Sequence, residues 1–492
     1  MIHSLVCNIF IHQCGHDMSW DLLAEGMGTV VVVGGGPAGL SAAHYALRRP
    51  GVARVVVLEA AGRLGGWVRS TRHRDGAVYE AGPRTVRPAG PQGANTLALV
   101  EELGLQDLVR PVRRGTPSAS TRLVLADGKL HKLPSTIASL FRTLPPFSRP
   151  LALAAVRDLL TPRLVSEDES LHEFVARRLG PELAEFAVSP LVRGICAGDS
   201  RQLSVHFIAS YMHTLEQRAG RVTLGWAADK ARELLQPAAG SPEEACELAQ
   251  VARSEGWAVW GLAGGLETLV EGLAESLVAR GVEVRLGAEV ALEGRGQGAV
   301  VHTGGETIEC DHLLLAAPAH ATSRLVEPLN GEAAASLAAI PWVDVAVVTL
   351  EYQGRDLQGQ QAFGFLVPAS QPEPLLGCIF DTCTFPQGDR TLLTVMMGGA
   401  WYDQVVGERG EEEVAAMAQA AVSTILGISA EPVRSMTSLL PRCIAQYTVG
   451  HRARVARARA ALPPGVQVVG SSYDGPGIND TIVSAKNATL NL

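Results

Sequence analysis

Residues 29–40 read TVVVVGGGPAGL. The β-branched run 29–33 predicts a short strand buried on both faces of a parallel sheet. The glycines that follow are spaced Gly34-x-Gly36-x-x-Gly39. Gly34 permits a tight turn, Gly36 lets a pyrophosphate approach the backbone, and Gly39 lets a helix pack close to the strand. A helix over 37–49, ended by Pro50-Gly51, would point its N–H groups and positive dipole end at phosphate charge. Residues 54–58, RVVVL, predict a second strand that stops at Glu59, twenty residues beyond Gly39. An acid there accepts hydrogen bonds from ribose hydroxyls. The turn Gly34, Gly35, Gly36, Pro37, Ala38 and Gly39 is therefore a dinucleotide cradle.

Which dinucleotide follows from what comes next. After Glu59 the chain reads AAGRLGGWVRS. Gly62-Arg63-Leu64-Gly65-Gly66 resembles the second motif of flavoproteins with two dinucleotide-binding motifs, a continuation that NAD enzymes do not carry. FAD is the cofactor expected. The stretch CDHLLLAAPAH (310–320) resembles another strand of that superfamily, and VVGSSYDGPGIND (468–480) resembles its element at the flavin end.

The chain has 492 residues, 47% of them hydrophobic, enough for two or three packed units. A net charge of −8 argues against a nucleic-acid partner. Eight cysteines lie far apart with no CxxC pair, so neither a zinc ribbon nor a disulfide framework is expected. No window approaches the 18 apolar residues of a membrane-spanning helix. Residues 1–26 contain no Lys or Arg, unlike a signal or transit peptide, and read as an appended segment before a domain that starts at Met27.

Helical spacing is clear at 96–105 and 265–281, and the pattern from about 96 to 280 reads as mostly helical. Strand-like stretches fall at 282–287, 297–302 and 312–316, then at 343–351, 361–367, 376–381 and 391–397, and last at 466–470. The expected fold class is α/β, with a discontinuous Rossmann-like domain and a second domain inserted twice. The expected division is an appended segment (1–26), three nucleotide-domain parts (27–110, 261–320 and 456–492), a helical substrate-entry and membrane-associated region (111–260), and a mixed-sheet substrate domain (321–455).

Several stretches are more specific: LEAAGRLGGWVRS, YEAGPRTVRPAG (79–90), SPLVRGICAGDSRQLS (189–204), WGLAGGLETL (260–269), FGFLVP (363–368), QYTVGH (446–451) and SSYDGPGIND (471–480). Together they resemble the animal-type protoporphyrinogen oxidases, collinearly from about Gly28 to Asn479. The resemblance implies non-covalent FAD, one per chain, and molecular oxygen as acceptor. It implies oxidation of protoporphyrinogen IX to protoporphyrin IX in haem synthesis: six electrons in three hydride transfers, with hydrogen peroxide released. It also implies a homodimer, monotopic attachment to the mitochondrial inner membrane on the intermembrane-space side, and channelling to ferrochelatase.

By position the resemblance adds FAD contacts at Arg63, Trp67, Gly82, Pro83, Arg84, Thr85, Val290, Ser471, Pro476, Gly477 and Ile478. It places Arg122 opposite a substrate propionate. Phe363, Leu366 and Met396 become pocket walls, and Gly194 and Ala197 small residues that let the macrocycle approach. No side chain is assigned a catalytic role and no metal is expected, because a flavin carries this chemistry. The apolar stretch 133–160, with interspersed arginines and prolines, suits a surface lying in a membrane interface. Two other readings stand beside this one. The chain ends TIVSAKNATLNL, a composition unlike the family's last helix, which suits a flavin-poor variant acting through dimerisation or partners. A monoamine-oxidase type shares the scaffold, although GSSYDGPG lacks that type's cysteine and aromatic pair.

Overall fold

The computed structural model describes residues 28–235, 246–296, 298–490 and 492. Its centre is a five-stranded parallel sheet. In spatial order the strands are Val466–Val468, His312–Leu315, Gly28–Val33, Val52–Glu59 and Glu283–Leu286. Val31 lies between Leu313 and Val56 in register, and Val30, Val31 and Val32 are fully buried. Such strands need helices on both faces. On one face lie Pro37–Ala46, Gly90–Glu102, Glu267–Ala279 and Ile478–Ala488; on the other lie Ala319–Val326, Gly331–Ala338 and His451–Ala461. Three separated parts of the chain thus build one sheet, as the α/β reading expected.

A seven-stranded mixed sheet forms the second layer system. Its order is Arg434–Ala445, Trp342–Gln353, Arg390–Gly399, Leu375–Phe380, Gly364–Leu366, Leu123–Ala126 and Lys129–Lys132. The helix Glu411–Leu426 covers one face through Val414, Ala418 and Val422.

Between residues 153 and 232 the chain is largely helical, and beside an apolar core that includes Phe174, Val192, Val205 and Leu215 it buries a cluster of charges. In the helix Leu153–Leu160, Asp158 is fully buried and accepts from Arg178 (3.1 Å) and from the Thr223 backbone (2.8 Å) and hydroxyl (2.7 Å). Glu216, also fully buried, takes both Arg177 and Arg178. With Asp158 turned inward, Leu153, Val156 and Leu160, spaced to share one helix face, are exposed to solvent.

The span 96–280 is less helical than its pattern suggests. It contains the paired strands Val109–Arg113 and Trp257–Leu262 and the hairpin Leu123–Ala126/Lys129–Lys132. The hairpin turn is Asp127-Gly128, both with positive φ (50° and 71°), which is the primed-turn signal of an Asp-Gly dipeptide. Val109–Arg113 is broken by Pro111, which hides its alternation. The strand Arg434–Ala445 also escaped notice: Pro441 interrupts it and Arg442 takes a φ of 45° where its register shifts. The first helix ends at Ala46, not at residue 49. Residues 1–26, read as an appended segment, lie outside the described residues.

Candidate functional site

The glycine turn has the geometry its spacing demands. Gly34 has φ 111° and donates to the Leu58 carbonyl at 2.8 Å, closing the turn onto the next strand. A Cβ on Gly39 would lie 1.8 Å from the Gly34 carbonyl oxygen, so helix and turn touch there. Gly36 differs: no protein atom lies within 4 Å of the place its Cβ would take. Its φ of −77° and ψ of 179° suit any residue, so the requirement for glycine comes from what occupies that space. The second motif closes one side, because Gly65 donates to the Gly35 carbonyl at 2.9 Å. A Cβ on Gly66 would stand 3.6 Å from the Gly36 Cα.

Glu59 ends its strand beside the turn. Its carboxylate accepts from the backbone N–H of Gly35 (2.6 Å) and Ala61 (2.7 Å), which fixes its position and leaves further lone pairs outward. The Glu59 carbonyl accepts from Ala288 at 2.8 Å, which brings Val290 to the same end of the sheet. Opposite, a Cβ on Gly470 would meet the Ala38 side chain at 2.9 Å, and Pro37 and Ile478 line one small void with Val68. The N-termini of the helices Pro37–Ala46 and Ile478–Ala488 therefore lie side by side, with Ser471, Pro476 and Gly477 in the loop leading to the second. Both present orphan N–H groups and positive dipole ends. These residues fit a dinucleotide: open space beside Gly36, two helix N-termini side by side, and a carboxylate fixed next to the turn.

The remaining cofactor candidates split. Arg63 donates to its own turn, to Leu64 O at 2.8 Å and to Gly66 O, with Glu267 3.5 Å away. Trp67 is partly exposed, and its carbonyl occupies the space a Cβ on Gly82 would need. Pro83 and Thr85 are half-buried. The Arg84 side chain is nearly buried and held by Asp381 at 2.7 Å, so its guanidinium serves an ion pair between the two sheets. Asp381 is a partner that sequence reading missed, since nothing marks a pairing 297 residues apart.

The substrate candidates gather across the mixed sheet. Leu366 and Met396 both pair with Gly377, one from each side, and the Leu366 side chain lies over the glycine, 2.9 Å from where a Cβ would stand. A Cβ on Gly194 would strike Leu366 at 2.4 Å, and Ala197 packs in the cluster that includes Met396. The Arg122 guanidinium lies 4.8 Å from the centre of the Phe363 ring. It is exposed, donates to the carbonyls of Ser118 and Thr121, and meets no carboxylate among the described residues.

Two further groups were missed. Arg193 is buried without a carboxylate, donating to Pro368 O (2.7 Å) and Leu375 O (3.1 Å) over the face of Trp401; burial pushes its pKa down to about 10. Tyr447 lies in the QYTVGH stretch, where only the resemblance drew attention to it, and its hydroxyl reaches the loop after Gly470.

Residues 37–489 match the family described as flavin containing amine oxidoreductase. The chain is 41% identical to protoporphyrinogen oxidase of Bos taurus over 94% of this chain and 98% of that protein, and 40% identical to that of Homo sapiens over the same shares. Among solved structures, a protein of Exiguobacterium sp., provisionally named a protoporphyrinogen oxidase, superposes with a TM-score of 0.77 at 27% identity, covering 95% of this chain and 99% of that one. Putrescine oxidase, at 19% identity and a TM-score of 0.63 over 94% and 98%, shares the fold alone. Cradle, sheet order and collinear likeness converge: the chain belongs to the flavin-containing amine oxidoreductase family and, within it, to the protoporphyrinogen oxidases.

Proposed function

We propose that the protein oxidises protoporphyrinogen IX to protoporphyrin IX with molecular oxygen as acceptor, holding one FAD per chain non-covalently. The likeness to the mammalian enzymes along nearly the whole chain carries this reading. The loop 468–480 contains no cysteine, which supports a non-covalent cofactor. The last helix, Ile478–Ala488, is complete and buries Ile482 and Ala485 against the cofactor side of the sheet, which speaks against a flavin-poor variant.

The bound flavin would supply hydride acceptance and electron transfer to oxygen. The chain's part is to bind and orient. Gly36 leaves room for the pyrophosphate, the two helix N-termini face its charge, and Glu59 receives the ribose. Phe363, Leu366 and Met396 would offer apolar walls to a macrocycle, with Gly194 and Gly377 leaving the room that the Leu366 side chain takes up. Arg122, with no carboxylate of its own, pairs a propionate through two parallel hydrogen bonds and so fixes the ring's orientation.

The outward apolar face of the helical region supports monotopic attachment to a membrane. Ile137, Phe141, Leu160 and Val165 are each at least 70% exposed, and no described helix is long and apolar enough to cross. An amphipathic surface of this kind lies in the interface plane. Mitochondrial inner-membrane placement on the intermembrane-space side, a homodimer and hand-over of product to ferrochelatase belong to the same proposal by family likeness.

The test is purification with flavin quantitation, then fluorescence of porphyrin formed from protoporphyrinogen. Gly36→Val sharpens it. Among the described residues a Cβ there stands clear of everything beyond its own chain neighbours, so most of the fold should be kept, yet the branched side chain would fill the pyrophosphate path. Stoichiometric FAD retained in that variant refutes the cradle.

A further inference from the structure

Tyr447 joins three parts of the molecule at one ring. Its hydroxyl donates to the Ser471 carbonyl at 2.9 Å and accepts from the Gly475 N–H at 2.7 Å, so one oxygen ties both arms of the loop 470–477. Its ring stacks on His451 with centroids 3.9 Å apart and planes 14° from parallel. Its edge meets Phe207, from the helical region, at 5.5 Å. The backbone around it is held from the same region. Ser204 N donates to Tyr447 O at 2.8 Å, and Asp168 accepts from the Ser204 hydroxyl (2.6 Å) and from Gly450 N (2.8 Å). Tyr447 is 92% buried on a relative exposure of 8%.

The loop it grips lies at the carboxyl ends of the sheet strands, against Ala38 of the glycine turn, where an open α/β sheet binds its dinucleotide. Gly475 sits there with φ 137°, a conformation that local chemistry does not enforce on its own. Without the hydroxyl, a part-buried N–H and a carbonyl on opposite arms of the loop lose their shared partner.

We infer that Tyr447 is a positioning residue: its hydroxyl holds the loop 470–477 in the shape that completes the cofactor cradle, and the helical region holds Tyr447. The inference rests on the dinucleotide reading of the cradle. It means that the shape of the cradle depends on contacts from residues 168–207, remote from the glycine motif in sequence.

The experiment compares the full chain with Tyr447→Phe, which keeps the ring on His451 and Phe207 and removes only the oxygen. The expected result is FAD bound roughly tenfold more weakly, as the loss of one bridging hydrogen-bond pair implies. Hydrogen exchange on the cofactor-free protein should show faster exchange of amides 470–477 and unchanged exchange in the strand Gly28–Val33. A merely structural residue would move both. Phe207→Leu leaves the hydroxyl in place and loosens only its support; a smaller change of the same sign is expected, and this variant decides the matter should Tyr447→Phe not fold. Unchanged FAD affinity and unchanged loop exchange in these variants overturn the inference. A parent chain that binds no FAD while the loop still loosens would overturn the cofactor reading and leave the strut standing.

Discussion

The parallel sheet and the helical region treat charge in opposite ways, although each has an apolar core. Around Gly28–Val33 the interior is Val, Leu and Ala, and charge is kept outside. Between 153 and 224 the interior holds Arg178, Asp158 and Glu216, all fully buried, while Leu160 and Val165 face outward at 77% and 78% exposure. A buried ion cluster is a weak source of net stability but breaks badly when one member is lost. The helical region therefore packs an ion cluster beside an apolar core that includes Phe174, Val192, Val205 and Leu215, while Leu160 and Val165 stay outward.

That contrast can be broken first at Arg178. Arg178→Ala would leave Asp158 and Glu216 buried beside one remaining partner, at a cost of about 3–5 kcal/mol. Urea midpoints with an unchanged slope would read this loss; a change under about 1 kcal/mol would show that water reaches the cluster. Arg122 tests the other pole, a cation with no carboxylate partner among the described residues, proposed above to pair a substrate propionate. Arg122→Ala removes a charge-assisted contact of about 1.5–3 kcal/mol, so kcat/KM should fall roughly tenfold to a hundredfold. Flavin content should not change. Arg122→Lys should recover part of the loss, and a substrate analogue with esterified propionates should not distinguish the Ala variant from the parent as the natural substrate does.

His451 carries the contrast into pH. Burial and then Arg454 push its pKa down to about 4, with opposing influence from the Tyr473 backbone, Asp474 and Asp168. Between the ordinary value of 6.5 and about 4 the unfolded chain binds a proton that the folded chain refuses. Stability therefore falls as pH drops through that window, at up to about 1.4 kcal/mol per pH unit. His451→Phe removes the titration, and its melting temperature should decline less steeply over the same range. Smallest in stability is Leu160→Ser with Ile137→Ser. These outward positions should shift stability by no more than about 0.5 kcal/mol each, yet weaken sedimentation with liposomes. Undiminished liposome binding would show that the apolar face meets something other than lipid.

The sheet region was legible because its signals are local. Gly34, Gly36 and Gly39 each act through their own backbone, and Glu59 follows at a set distance along one strand–helix–strand unit. The hairpin at Asp127-Gly128 was equally local and was passed over because the surrounding pattern looked helical. What could not be read were pairings between distant parts: Arg84 with Asp381, Arg178 with Asp158 and Glu216, Tyr447 with Ser471 and Gly475. A buried arginine and an exposed one look alike in a sequence. So do an apolar residue turned inward and one turned outward, and in the stretch 133–160 it is the buried Asp158 that sets which face is which.

On the proposed function the space beside Gly36, clear of the described residues, belongs to the ligand, so the folded chain has no internal means of sensing a fault there. Cellular surveillance by chaperones and proteases recognises exposed apolar surface and transient unfolding. A chain altered at Gly39 would announce itself and be degraded, since its helix and turn would collide. One altered at Gly36 would pass inspection, accumulate to normal abundance and take up whatever places its active counterpart fills. Two glycines three residues apart thus predict opposite fates in the cell, one a shortage of protein and the other a surplus of silent copies.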